Sequence, residues 1–264
     1  MPTDIPSIEA TLDEVAGHLR QARRALFITG AGISADSGLP TYRGVGGLYA
    51  SEATADGLRI EEALSGEVFA RRPDITWKYL IQIEESCRGA QPNAAHRAIA
   101  WLERHLDRVM VFTQNVDGLH RAAGSGEIVE IHGNLQELAC TACSHQEAVA
   151  DMSGREIPPR CPVCGAVLRP KVVLFGEALP EDELDRFIDA FQEGFDIVFS
   201  IGTSSVFPYI TQPVVLAAAS GIPTVEINPL RTQLSDIVDF HVPLGAAEAM
   251  TAIVRRLGIG EFTC

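Results

Sequence analysis

Four cysteines in two close pairs are the first residues whose types and spacing could do chemistry. Cys140-x2-Cys143 and Cys161-x2-Cys164 are separated by 17 residues, a spacing at which two cysteine knuckles can close round one tetrahedral metal ion. Four thiolates leave no open coordination position, so zinc held there is structural and any catalysis must come from elsewhere. Pro162 and Gly165 suit the tight turn of a knuckle. The competing reading is four unrelated buried or redox-active thiols. Cys87 and Cys264 have no evident partner and read as ordinary thiols.

A second feature is the loop Gly30-Ala31-Gly32-Ile33-Ser34-Ala35-Asp36-Ser37-Gly38-Leu39-Pro40-Thr41-Tyr42-Arg43-Gly44. Its glycines allow the backbone to approach a pyrophosphate, and its free N–H groups could bind one. It lacks the third glycine of G-x-G-x-x-G. Ala35 is allowed by the relaxed form, but no acidic residue about 20 positions on ends a second strand, so dehydrogenase-type NAD binding has weak support. The alternative is a plain glycine turn between strand and helix, with Arg43 either holding a phosphate or simply solvated.

A third group, Gln114, Asn115, Asp117 and His120, directly follows an apolar run. Ligands of open α/β sheets gather outside the carboxyl ends of strands, so this position favours function. Histidine is the side chain most readily poised as a base near neutral pH. Residue chemistry alone does not choose among the seven histidines, and His18, His96, His105, His145 and His241 read as structural or solvated.

These groups need elements to position them. Ile8, Leu12, Val15, Ala16 and Leu19 have helical spacing, which predicts a helix over 7–24. The apolar runs 25–29, 108–113, 196–201 and 223–228 read as buried parallel strands, with a small-residue helix candidate at Val214 to Ala219 before the last. Strands alternating with helices predict an α/β fold with a doubly wound parallel sheet. Residues 44–88, helical after a glycine-rich start, and 134–171, holding the cysteine pairs, interrupt that alternation and read as insertions beside a cleft.

Composition sets the outer limits. The 264 residues are 46% hydrophobic and 21% charged, as expected for a globular protein that buries a core. Setting 35 acids against 21 bases leaves a net charge of −14, which disfavours nucleic acid and anionic membranes and leaves basic protein segments as suitable partners. The N-terminal stretch has acids and no long apolar run, and no run reaches the roughly 18 residues of a membrane helix, so a cytoplasmic location is expected.

Gly30-Ala-Gly-Ile-Ser-Ala-Asp-Ser-Gly38 with Pro40-Thr-Tyr-Arg43, Thr113-Gln-Asn-Val-Asp-Gly-Leu-His120, His132-Gly133, Phe175-Gly-Glu177 and Gly202-Thr-Ser204 resemble, in this order, the motif set of the sirtuins, NAD-dependent protein deacylases. The resemblance runs from about residue 23 to the C-terminus. It implies a single catalytic domain over 1–264, with a Rossmann-type part at about 1–43, 89–133 and 172–264. A smaller lobe would comprise a helical portion, 44–88, and a zinc ribbon, 134–171, with NAD between the two parts.

Carried over residue by residue, the resemblance makes His132 the base, with Asn115 and Asp117 orienting the nicotinamide ribose and its water. It puts Gly30, Ala31, Gly32, Ser34, Asp36, Tyr42, Arg43 and Gln114 around NAD. Gly202, Thr203, Ser204 and Asn228 would lie near its phosphates and adenine ribose, with Ala246 a looser adenine contact. His120 would support the loop. Zinc on the four cysteines would be structural.

The implied substrates are NAD and acylated-lysine proteins. The acyl oxygen captures the ribose carbon that nicotinamide leaves, water completes the release, and the products are free lysine, nicotinamide and O-acyl-ADP-ribose. The extended Val172-Val173-Leu174, leading into Phe175, Gly176 and Glu177, could pair with substrate as an added strand. The segment 68–83 is similar to the desuccinylase-type branch, but Leu80 and Ile83 occupy the positions of its carboxylate-reading Tyr-x-x-Arg pair. Mono-ADP-ribosyl transfer and a non-catalytic NAD or zinc-ribbon adaptor are the competing readings.

Overall fold

The structure is a computed structural model describing residues 7–40 and 54–262. In chain order it contains α1 (Ile8–Gln21), β1 (Arg24–Thr29), a 3-10 turn (Ala31–Ser37), α2 (Ile60–Ala63), α3 (Gly66–Arg71), α4 (Pro73–Cys87), α5 (Ala94–Leu102), β2 (Arg108–Thr113) and α6 (Leu119–Ala123). Then follow β3 (Ile128–Glu130), β4 (Gly133–Cys140), β5 (Gln146–Ala148), β6 (Leu168–Val172), α7 (Glu181–Gln192), β7 (Ile197–Ile201), α8 (Pro208–Ala219), β8 (Thr224–Ile227), β9 (Phe240–Val242) and α9 (Ala246–Leu257).

Six strands form one sheet in the order β3-β2-β1-β7-β8-β9, every pair parallel. The order reverses between β1 and β7, which is the switch point of a doubly wound nucleotide-binding sheet. Alternation along β1 sends Ala25 and Phe27 to one face and Leu26 and Ile28 to the other. On the first face α1, α5 and α9 cover the sheet; on the second, α7 and α8 do. Burial of each Leu, Ile, Val or Phe contributes about 1.5–3 kcal/mol, which makes these two layers the main source of cohesion.

Ser7 caps α1 by accepting from the Ala10 amide. Leu12, Val15, Ala16 and Leu19 then share a buried layer with Ala249, Met250, Ile253 and Val254 of α9. Arg20 donates to the Leu257 and Arg256 carbonyls, while Arg256 pairs with Asp13 and Glu9. Helix α8 begins well before the small-residue run and carries Pro213 inside it.

A third apolar cluster unites the two interrupting stretches. Ile60, Ala63, Leu64, Phe69, Trp77 and Leu80 pack against Leu135, Leu138, Met152, Leu168 and Leu174. Trp77 Nε1 donates to the Leu168 carbonyl at 2.9 Å. The cysteine-bearing stretch itself contains a three-stranded antiparallel sheet, β5-β4-β6. Among the described residues no helix is long and apolar enough to cross a membrane.

Candidate active site

The site gathers at the carboxyl ends of β1, β2 and β7. Gly30 N–H donates to the Ile201 carbonyl at 3.1 Å and Gly32 N–H to the Gly202 carbonyl at 2.8 Å, which ties the loop after β1 to the loop after β7. The two backbones touch. A Cβ on Gly32 would lie 2.6 Å from Gly202 Cα, and one on Gly202 would lie 2.4 Å from Gly32 C and Ile33 N. The absence of side chains at Gly32 and Gly202 is what lets the two loops meet. Gly202 also has φ +60°, in the left-handed region.

From this seam a hydrogen-bond chain runs across the cleft. Asn115 Nδ2 donates to the Gly30 carbonyl and to Ser34 Oγ, both at 3.2 Å. Ser34 Oγ donates to Asp117 Oδ2 at 2.7 Å, and Asp117 Oδ1 accepts from the Leu119 amide at 2.9 Å. Burial pushes the Asp117 carboxyl up, while the Leu119 and Ser34 donors oppose that shift. Thr203 is the other junction: its Oγ1 accepts from Gln114 Nε2 at 3.1 Å and from the Ser205 amide at 3.0 Å, and its carbonyl accepts from Asn228 Nδ2 at 3.0 Å.

His132 leaves the sheet just before β4. Its Nδ1 lies 3.0 Å from the Gln114 carbonyl, which can only accept, so Nδ1 carries the proton and Nε2 presents the lone pair. Burial holds the imidazole below its ordinary value, with the Gln114 carbonyl pulling the other way. It is therefore a neutral acceptor at pH 7. Gly133, beside it, has φ +76°, and a Cβ there would lie 1.7 Å from the Lys171 carbonyl oxygen. His120 is buried beneath the cleft, with Nε2 at 3.0 Å from Thr29 Oγ1, where it braces the ends of β1 and β2.

Other expected site residues lie apart from this network. Asp36 is exposed, and its carboxylate accepts from the Ala247 amide at the start of α9, one residue after the buried Ala246. Ala31 lies in the turn after Gly30, Ser204 is exposed beside Thr203, and Tyr42 and Arg43 fall outside the described residues. Glu177 is occupied by Arg169, at 2.8 and 2.9 Å, and by the Leu174 amide at 2.9 Å, so it braces its own loop. Phe175 is 39% exposed beside the exposed Gly176.

The amides of Val173 and Phe175 donate to the His132 and Leu64 carbonyls. The Leu174 amide is also engaged, by Glu177, so the amides of 173–175 all have partners within the chain. Leu80 is 3% exposed in the third cluster, and Ile83 is half-buried against it.

The four cysteine Sγ atoms lie within 4.8 Å of one another. Cys140 and Cys164 are 3.4 Å apart, and Cys143 and Cys161 3.7 Å. A tetrahedron with metal–sulfur bonds of about 2.3 Å has edges of ~3.8 Å, so the four thiolates fit zinc.

Two residues that bear on the site are ones to which the sequence reading gives no role in it. Asn93, the N-cap of α5, donates through Nδ2 to the Ile33 carbonyl at 2.7 Å and to Ser37 Oγ at 3.0 Å, bracing the first loop. A cap before a helical run is a readable signal; the second contact is not. Tyr209, in the first turn of α8, reaches His132 from more than 70 positions away.

Comparison with known proteins adds four likenesses. The model of the Sir2 family matches residues 30–208. The chain is 49% identical over 247 residues to the NAD-dependent protein deacylase 2 of Pseudomonas syringae pv. tomato, covering 92% of this chain and 99% of that one. Among solved structures it is similar to a variant Sir2 homologue in complex with 2'-O-acetyl-ADP-ribose, with TM-score 0.83, 36% identity, and coverage of 93% and 96%. It is also similar to a Sir2–p53 peptide–NAD+ structure, with TM-score 0.79, 29% identity, and coverage of 94% and 98%.

Proposed function

The chain belongs to the Sir2 family, and from that premise we propose that it is an NAD-dependent protein-lysine deacylase with His132 as its base. The observation that carries the reading is the tautomer of His132. Its Nδ1–H is committed to the Gln114 carbonyl, so Nε2 is the acceptor for a substrate hydroxyl. NAD, when bound, supplies a ribose whose nicotinamide can depart and whose hydroxyl can be deprotonated. The glycine loop, Thr203, Ser204 and Asn228 would hold its phosphates and adenosine. Asn115 and Asp117 would orient the reacting ribose.

Within the chain, Ser34 ties Asn115 to Asp117, so neither side chain needs to be ordered when the ligand arrives. His132 then takes one proton at Nε2 and keeps its other at Nδ1, which leaves the imidazolium charge beside the Gln114 carbonyl. One water completes the release, so that acyl-lysine, NAD and water give free lysine, nicotinamide and O-acyl-ADP-ribose. The zinc site supplies cohesion, since its four thiolates leave no place for substrate. Reduced thiolate ligands suit a cytoplasmic location.

For the acyl group, Leu80 and Ile83 would give an apolar boundary. Arg72 and Tyr79, the two groups that could read an acyl carboxylate from another direction, are engaged: Arg72 pairs with Asp74, and the Tyr79 hydroxyl bonds Asp56. The expected outcome is preference for acetyl or longer unbranched apolar acyl groups over succinyl by ~100-fold or more in kcat/KM, equivalent to about 3 kcal/mol for an unpaired buried charge. Assays on acetyl-, butyryl-, myristoyl- and succinyl-lysine versions of one peptide check it. A succinyl preference rejects it.

The main test incubates the purified protein with NAD and these peptides and follows their mass. His132→Ala should lower turnover by about 10²- to 10⁴-fold while NAD binding is largely kept. An absence of NAD-dependent acyl loss from every peptide would overturn the reading. Mass gained by a protein instead would indicate ADP-ribosyl transfer.

A further inference from the structure

The hydroxyl of Tyr209 lies 2.7 Å from His132 Nε2, on the lone pair that the proposed reaction requires. Because Nδ1 is the protonated nitrogen, the phenol must be the donor and Nε2 the acceptor. The ring is held by its surroundings. Phe207 stacks on it at 5.5 Å between centroids with 18° between planes, and Phe207 also meets the imidazole edge-on at 6.5 Å. Pro208, between the two aromatic residues, stands at the first position of α8, where its fixed φ starts the helix without losing an intrahelical hydrogen bond. The segment Phe207-Pro208-Tyr209 is thus a preorganised turn that delivers one hydroxyl to the base.

We propose that Tyr209 is a positioning residue for His132: its hydroxyl clamps the imidazole against the Gln114 carbonyl and covers Nε2 until a substrate hydroxyl takes its place. This rests on the assignment of His132 as the base.

The imidazole is held at both ring nitrogens, and the backbone that carries it at a third point. The end of β2 contributes the neutral Gln114 carbonyl, α8 contributes Tyr209, and the segment after β6 contributes the Val173 amide on the His132 carbonyl. Among the described residues, Tyr209 is the titratable side chain in hydrogen-bond contact with the ring. Burial pushes its phenol up to about 12, so it remains a donor throughout the working range. A donor on Nε2 favours the neutral imidazole and opposes its protonation. Removing the hydroxyl therefore moves the proton affinity of His132 upward. A tyrosine that served only packing would leave that affinity unchanged when replaced by phenylalanine.

The experiment compares wild type with Tyr209→Phe, which keeps the ring and its stack. The first readout is the titration of the His132 imidazole by NMR in the ligand-free protein, with the resonance assigned by its loss in His132→Ala. The expected result is an upward shift of about half to one pH unit, the size of one neutral hydrogen bond. The second is the acid limb of kcat/KM for NAD, which should move in the same direction by the same amount. An unshifted imidazole titration in a folded Tyr209→Phe overturns the proposal. If neither protein deacylates any peptide, the function assigned above fails, while the NMR titration still decides the tyrosine.

Discussion

His96 and His120 lie against each other beneath the cleft, their ring centroids 4.8 Å apart, with His96 Nε2 and His120 Nδ1 lacking partners among the described residues. Burial pushes His96 down to about 4 and His120 well below its ordinary value. The unfolded chain therefore binds protons that the native state refuses as pH falls from about 6.5 towards 4. Stability should decline across that window by about 3 kcal/mol from His96 alone, flattening below it. Denaturant melts at pH 7 and pH 4.5 check this, and His96→Gln should show a shallower decline. His132 is lowered in the same sense, so the base stays unprotonated to below its ordinary value. Turnover should therefore persist as pH is lowered past the ordinary histidine value of about 6.5, with the acid limb of its pH profile lying below that point.

At the scale of elements, β4 and β6 of the cysteine-bearing stretch meet through a close backbone contact. With Cβ placed 1.7 Å from the Lys171 carbonyl and φ at +76°, Gly133→Ala should force β4 and β6 apart and cost about 3–5 kcal/mol. Gly38→Ala, with φ +81° but open space, should cost only ~1–2 kcal/mol, and paired thermal melts separate the two cases. The same contrast shows what a sequence can reveal. Strands β1, β2, β7 and β8 were legible because burial on both faces makes them continuous apolar runs. Edge strands β3 and β9 have three residues each, too few for a pattern, and the antiparallel β5-β4-β6 sheet lies in a stretch without clear periodicity. The motif glycines stood out by type, but the reason for Gly32 and Gly202 lies in a contact between loops 170 positions apart. Asn115, Asp117 and His132 were legible from their motifs, whereas the Tyr209 contact exists only once α8 has packed.

Taken whole, the molecule has two bodies of packing, the double-faced sheet and the cluster shared by α2–α4 with β4 and β6. Cys161 is buried in that second cluster, so loss of zinc should loosen the lobe before the sheet. Chelation or Cys161→Ser should lower Tm, and hydrogen exchange should rise first across 60–87 and 133–174 while β1, β2, β7 and β8 stay protected; an unchanged pattern in metal-free protein would refute this. The pairing of α1 with α9 has a consequence for synthesis. Helix α1 precedes α9 in the chain by more than 200 positions, so Leu12, Val15, Ala16 and Leu19 have no α9 surface to cover them until translation passes Leu257. Nascent chains halted before Ala246 should be cut readily by protease within α1, whereas chains extended through α9 and clear of the exit tunnel should resist. The cell must shelter an exposed apolar stripe from the synthesis of α1 until α9 is complete.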